Sequence, residues 1–292
     1  MYVLKVGGSA GIDYDAFADD LAALGRGDGR GAAVLAPSSA PAPAAVAGAV
    51  APAGFVLVHG GSAELNELST RLGKPPRMIT SASGVESRYT DAETLDHFLM
   101  VYAGKMNKRL VERLWKRGVR AVGLSGADGG LWRGPRKAAL TVVEGGKKKV
   151  IRDDMTGKVE RVDAALLRAL LDGGWLPVLA PPALSDDNEL INVDGDRAAA
   201  ATAGALGAEA LLIFSNVPGL LRDPADPATL VRAIPAAEAE RFGADFARGR
   251  FKKKIMGAVE ALALGVKKVV FADARGREPV RRALAGEGTV IS

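Results

Sequence analysis

Five short segments of this chain combine glycines, lysines and acids in patterns suited to holding an anion. Lys5-Val6-Gly7-Gly8-Ser9 places a lysine inside an apolar run and two glycines directly after it. A lysine in a buried strand is costly unless its ammonium reaches a counter-charge, and consecutive glycines let backbone N–H groups approach a phosphate. Val58-His59-Gly60-Gly61-Ser62 repeats the pattern ahead of a helix, whose N-terminus favours negative charge. His59 reads here as a hydrogen-bonding structural residue and not as a base. In Asn192-Val193-Asp194-Gly195-Asp196, which precedes an alanine-rich helix, Asp196 stands where an N-cap belongs and Asp194-Gly195 reads as a turn. Gly249-Arg250-Phe251-Lys252-Lys253-Lys254 leads into another helix. Three lysines there oppose the helix dipole unless an anion is bound. Phe214-Ser215-Asn216-Val217-Pro218-Gly219 is a turn after a strand. No Walker A motif and no kinase-type glycine loop is present, so any nucleotide is held by another architecture.

The elements that must carry these segments alternate. Apolar runs at 2–6, 55–58, 119–124, 175–179, 210–214, 269–271 and 289–291 read as strands. Helical spacing covers 14–24, 63–72, 162–171, 196–207, 255–264 and 279–284. Thr90 and Glu93 have capping-box spacing and open a long helix running to Gly118. Glu144-Gly145-Gly146-Lys147 reads as a hairpin turn. Such alternation predicts an α/β fold, a three-layer αβα sandwich around a mainly parallel sheet, with each segment above at a strand's carboxyl end. Pro181-Pro182 suggests a division into lobes at 1–180 and 181–292. Residues 25–54 are low in complexity and read as an insertion, with an alanine-rich turn near 44–50.

Composition narrows the chemistry. With 292 residues the chain can bury a full core. It has no cysteine and two histidines, His59 and His97. Thiol nucleophiles, thiolate metal sites and three-histidine sites are excluded. The net charge of +5 suggests anionic partners, but aromatic residues are only 5%, too few for a base-stacking platform, so no nucleic-acid partner is expected. Residues 31–58 are uncharged, yet rich in alanine, glycine and proline, which argues against a membrane span. The first strand runs directly into glycines, so a cytoplasmic protein is expected.

Taken in order, the Lys5–Gly8, His59–Gly61, Asn192–Asp196 and Ser215–Gly219 segments and Lys254 resemble the amino-acid kinase family, in its acetylglutamate-kinase branch. Gly73–Arg77, Ser87–Asp91, Asn107–Glu112 and Gly123–Gly126 are similar to the carrier-protein-dependent kinases of lysine biosynthesis within that branch. The resemblance implies the fold just described and ATP-dependent phosphorylation of the side-chain carboxylate of L-2-aminoadipate, or glutamate, attached to a small acidic amino-group carrier protein. It implies ATP with Mg2+ held mainly by the phosphates, and a homodimer. By the resemblance, Lys5 and Lys254 stabilise the transition state and Asp196 holds them. Gly60, Gly61, Arg88 and Asn192 bind the acceptor. Lys5, Gly7, Gly8, Ser9, Ser215, Asn216, Gly219 and Lys254 contact the nucleotide, the acceptor and carrier belonging to the first lobe and ATP to the second. Lys74, Arg77, Lys105, Lys108, Arg109, Arg113, Lys116 and Arg117 are expected to form a basic docking face for the carrier. The 25–54 insertion departs from the pattern. The chemistry is consistent: a carboxyl with a reference pKa near ~4.3 is already ionised at neutral pH and needs no general base. The rival reading is a kinase of free N-acetylglutamate.

Overall fold

A computed structural model of the chain describes residues 1–26, 52, 54–81, 84, 86–145, 147–223, 225–246 and 250–292. The expected 25–54 insertion, with its turn near 44–50, lies almost wholly outside the described residues. Eight strands form the central sheet: β1 (Tyr2–Val6), β2 (Phe55–His59), β3 (Ala121–Ser125), β4 (Leu176–Ala180), β5 (Ala210–Ser215), β6 (Ala233–Ile234), β7 (Lys268–Asp273) and β8 (Thr289–Ile291). Their order is β6-β8-β7-β5-β1-β2-β4-β3. Every neighbouring pair is parallel except β7 with β8. Strands on either side of residue 180 meet where β1 pairs with β5. The helices are α1 (Tyr14–Arg26), α2 (Ser62–Arg71), α3 (Ala92–Phe98), α4 (Asn107–Trp115), α5 (Ala164–Asp172), α6 (Gly195–Leu206), α7 (Ala239–Phe246), α8 (Arg250–Ala263) and α9 (Pro279–Leu284).

The strands are largely apolar because both faces of the sheet are covered. Val3, Val58, Leu179, Leu211 and Ile213 pack with Leu167 of α5, Ala199 of α6 and Ile255 of α8. Tyr2, Leu4, Val6, Leu57 and Phe214 pack on the other side with Phe17 of α1, Leu110 of α4 and Val280 of α9. Side chains alternate with a period of two along a strand, so Lys5 shares the face of Val3. It is therefore aimed at α6 and α8. Two four-stranded sheets flank the carboxyl ends, one of them joining Met78–Ser81, Glu86–Arg88, Leu140–Glu144 and Lys147–Ile151. The Glu144–Lys147 hairpin forms as expected, with Gly145 at φ +58°.

Two local expectations change. The cap of α3 is Asp91, whose side chain accepts from the Thr94 N–H; Thr90 is fully buried and bonds elsewhere. The expected long helix forms from Ala92 to Trp115, but its middle, Leu99–Met106, winds as a π-helix. Among the described residues no helix is long and apolar enough to cross a membrane.

Candidate active site

Lys5 leaves β1 one residue before the strand ends and meets the first turn of α6, where its Cε lies beside Gly195. The cap of α6 is Asp194, which accepts from the N–H groups of Asp196 and Arg197 at 2.9 and 3.2 Å. Asp196 is thereby released from the capping duty its position suggested. Its carboxylate takes the Lys5 ammonium at 2.7 Å and the Lys254 ammonium at 3.3 Å. Lys5 and Asp196 are each 7% exposed. Burial alone raises a carboxyl pKa, but the two ammonium groups, Lys254 foremost, hold Asp196 far below the usual carboxylate range. Burial lowers the pKa of Lys254, and Asp196 opposes that shift.

The approach of α8 to α6 depends on a residue that sequence reading passed over. Gly257 lies one turn after Lys254, and a Cβ there falls 3.3 Å from the backbone of Asp196. A glycine inside a helix costs roughly 1 kcal/mol relative to alanine, and that cost is the signal that marks it.

The glycine turns interlock. A Cβ on Gly8 falls 2.1 Å from the Gly61 nitrogen, and one on Gly60 falls 2.9 Å from the Gly8 nitrogen. The Gly8 carbonyl accepts from the Ala63 N–H at 2.8 Å and from the Ser62 hydroxyl at 3.2 Å. On the other side, Gly7 N–H donates to the Phe214 carbonyl at 3.0 Å and the Asn216 amide to the Ala10 carbonyl at 3.3 Å. The turns after β2, β1 and β5 thus sit side by side, with Ser9 half-buried and Ser215 buried between them. Gly219 lies four residues beyond β5. It is buried against β8, where a Cβ falls 2.6 Å from Thr289 Oγ1.

Arg88 and Asn192 are also brought together, through Thr90, which the sequence offered as a helix cap, and beside Asn66 and Asp154, which it did not single out. The Asn192 amide donates to the Thr90 hydroxyl at 3.0 Å, and that hydroxyl donates to the Arg88 carbonyl at 3.3 Å. The Arg88 guanidinium donates to Asn66 on α2 at 2.5 Å, one helix turn from Gly61. Buried Asp154 accepts from the Thr90 N–H at 3.1 Å.

His59 is a structural residue, as expected. Its Nδ1 faces the Gly60 carbonyl at 3.0 Å and its Nε2 faces the Asn107 amide at 3.1 Å. The carbonyl only accepts, so Nδ1 carries the proton. Complete burial pushes the imidazole pKa down to about 4.

The expected basic face is largely neutralised. Lys74 pairs with Asp91 and Glu93, Arg77 with Glu144, Lys105 with Glu64, and Arg109 and Lys116 with Glu112. Arg113 and Arg117 pair with Asp15, and Arg117 also with Asp19. Lys108 instead donates to the Gly123 carbonyl at 3.0 Å.

The model of the amino acid kinase family matches residues 1–273. The LysW-aminoadipate kinase of Thermus thermophilus is 53% identical over 293 residues, covering 100% of both chains. That of Deinococcus radiodurans is 52% identical over 292 residues, covering 100% of this chain and 91% of its own. Among solved structures, N-acetylglutamate synthase from Neisseria gonorrhoeae, complexed with coenzyme A and N-acetyl-glutamate, shares the fold. Its TM-score is 0.70 at 24% identity, covering 100% of this chain and 59% of that one.

Proposed function

The chain belongs to the amino acid kinase family, and from that premise we propose that it phosphorylates the side-chain carboxylate of L-2-aminoadipate carried on a LysW-type amino-group carrier protein. ATP donates the phosphoryl group, and the product is an acyl phosphate of lysine biosynthesis. The observation that carries this reading is the joining of Lys5 and Lys254, from opposite ends of the chain, on one buried carboxylate. It is joined by full-length identity above half to kinases of that name.

The reaction brings a carboxylate oxygen to the γ-phosphorus while the bond from that phosphorus to the ADP oxygen breaks. Both partners are anionic, so charge neutralisation and alignment are the main requirements. Lys5 approaches from β1 and Lys254 from α8, and Asp196 fixes both ammonium groups without cancelling their joint positive charge. The interlocked Gly8 and Gly61 turns present backbone N–H groups between the two substrates. Arg88 and Asn192 hold the acceptor, residues 1–180 providing the acceptor side. Residues 181–292 provide the nucleotide side, with Ser215 and Asn216 at its edge. Among the described residues no three His, Asp or Glu side chains are grouped to hold a metal ion. Mg2+ on this reading is bound through the phosphates, whose charge it offsets. The working state is a homodimer in the cytoplasm.

The test offers MgATP with carrier-bound aminoadipate, carrier-bound glutamate or free N-acetylglutamate, and traps acyl phosphate as its hydroxamate. Carrier-bound aminoadipate is the expected acceptor. Turnover of N-acetylglutamate alone defeats the proposal. Aminoadipate and glutamate differ by one methylene, worth about 1–3 kcal/mol of selectivity.

A further inference from the structure

The turn after β1 is built from peptide planes that are held in different ways. The plane joining Val6 to Gly7 is tied by backbone on both sides: the Gly7 N–H donates to the Phe214 carbonyl and the Val6 carbonyl accepts from the Gly60 N–H, each at 3.0 Å. The plane joining Gly8 to Ser9 is tied through the Gly8 carbonyl to Ala63 and Ser62. The plane between them, Gly7 to Gly8, has no such tie. Among the described residues no backbone N–H donates to the Gly7 carbonyl, and the Gly8 N–H donates to no backbone carbonyl. A glycine on each side leaves this peptide the freest in the turn to swing. A side chain holds it instead: the Tyr14 hydroxyl donates to the Gly7 carbonyl at 2.8 Å.

Tyr14 is itself well anchored. It opens α1, whose start is fixed by Asp13, which accepts from the Asp15 and Ala16 N–H groups at 3.1 and 2.9 Å. The Asp13 N–H donates in turn to the Ala274 carbonyl, just beyond β7, at 3.2 Å. The half-buried ring packs against the apolar cluster that holds Val6, Phe17 and Phe214. Burial raises the pKa of the phenol, so the hydroxyl keeps the proton it donates.

The Gly7 to Gly8 peptide is trans, so its carbonyl and its N–H point in opposite directions. Fixing the carbonyl toward Tyr14 therefore fixes the Gly8 N–H away from it. The Gly8 nitrogen lies beside the second glycine turn, 2.9 Å from a Cβ placed on Gly60. We propose that Tyr14 is a positioning residue for phosphoryl transfer, its hydroxyl aiming the Gly8 N–H at the phosphoryl group in flight. A donor already aimed costs no reorganisation as the group moves. The inference rests on the kinase reading and extends it to a side chain that touches neither substrate.

Tyr14→Phe tests it, because the ring keeps its apolar contacts and only the hydroxyl is lost. The whole protein is assayed with MgATP and carrier-bound aminoadipate, and titrated calorimetrically with MgADP alone and with MgADP plus aluminium fluoride, a stand-in for the transferring group. The variant is expected to lose about tenfold in kcat while both KM values stay within about twofold, the pattern of an interaction used in the transition state. Binding of the aluminium fluoride complex is expected to weaken by the same factor, with MgADP binding and the urea midpoint as in the parent. An unchanged kcat, a fall in kcat matched by a lower urea midpoint, or equal weakening toward MgADP with and without aluminium fluoride overturns the inference and leaves the kinase reading intact. A parent protein that phosphorylates no carrier-bound acceptor overturns both.

Discussion

Lys254 approaches Asp196 at 3.3 Å across the interface between α8 and α6, and its ammonium has no other acidic partner among the described ion pairs. Lys254→Ala is expected to keep the fold and lower kcat by about 10²–10³, the usual cost of removing one group that stabilises transition-state charge. An unchanged kcat removes Lys254 from the mechanism. Asp196→Asn acts differently, because it leaves two buried ammonium groups without their carboxylate. It is expected to cost about 3 kcal/mol of stability, read from a urea midpoint, together with activity. His59 supplies a pH signature. Its pKa is depressed from 6.5 to about 4 in the folded protein, so the unfolded chain binds the extra proton between those values. Stability from this group is complete above pH 6.5 and is lost as pH falls toward 4, by about 1.4 kcal/mol per unit. Denaturation curves of the parent and His59→Gln are expected to converge over that window. Parallel curves rule the imidazole out as the titrating group.

At the scale of elements, two glycines govern how closely α6 and α8 pack, and they divide the labour. Gly257 lies against the backbone of Asp196, whereas Gly204, toward the other end of α6, lies where a Cβ comes within 2.6 Å of the Leu264 side chain. A larger residue at 257 moves Lys254 away from the carboxylate; one at 204 overpacks a contact remote from it. Gly257→Val is expected to lower kcat by about tenfold or more, since small misplacements of aligned groups are costly. Gly204→Ala is expected to lose about 1–3 kcal/mol of stability with kcat nearly unchanged. Equal effects of the two variants on kcat contradict this division. A glycine inside a helical pattern is a signal in the sequence, but what each one admits lies some 60 residues away and only the helix pairing identifies it. The caps show the same limit. Asp91 and Asp194 cap α3 and α6 because the chain enters each helix one or two residues from where residue preference alone placed the start. The π-helical turn at Leu99–Met106 had no signal of its own.

Across the whole molecule, surface electrostatics differ from what composition suggested. Of the eight basic residues expected to form a docking face, all but Lys108 pair with a neighbouring carboxylate. Paired exposed charges project little field beyond a Debye length of about 8 Å at physiological salt. The KM for carrier-bound aminoadipate is therefore expected to change only shallowly with added salt. A steep rise indicates that the ion pairs open on docking and that the basic face acts as a unit.

The alternation of strands and helices, the glycine turns at strand ends and the need of Lys5 for an anionic neighbour are local properties, set by side-chain period, burial cost and turn geometry. The amino acids alone therefore determined the layered α/β plan and the kind of chemistry the strand ends could support. Which groups meet was decided by packing. The two-residue repeat sends Lys5 to one face of the sheet, Asp194 takes the cap so that Asp196 is free, and Gly257 admits α8. Residues 5, 196 and 254 are distant along the chain, and no short-range rule links them. Their convergence follows only when the helices settle on the sheet.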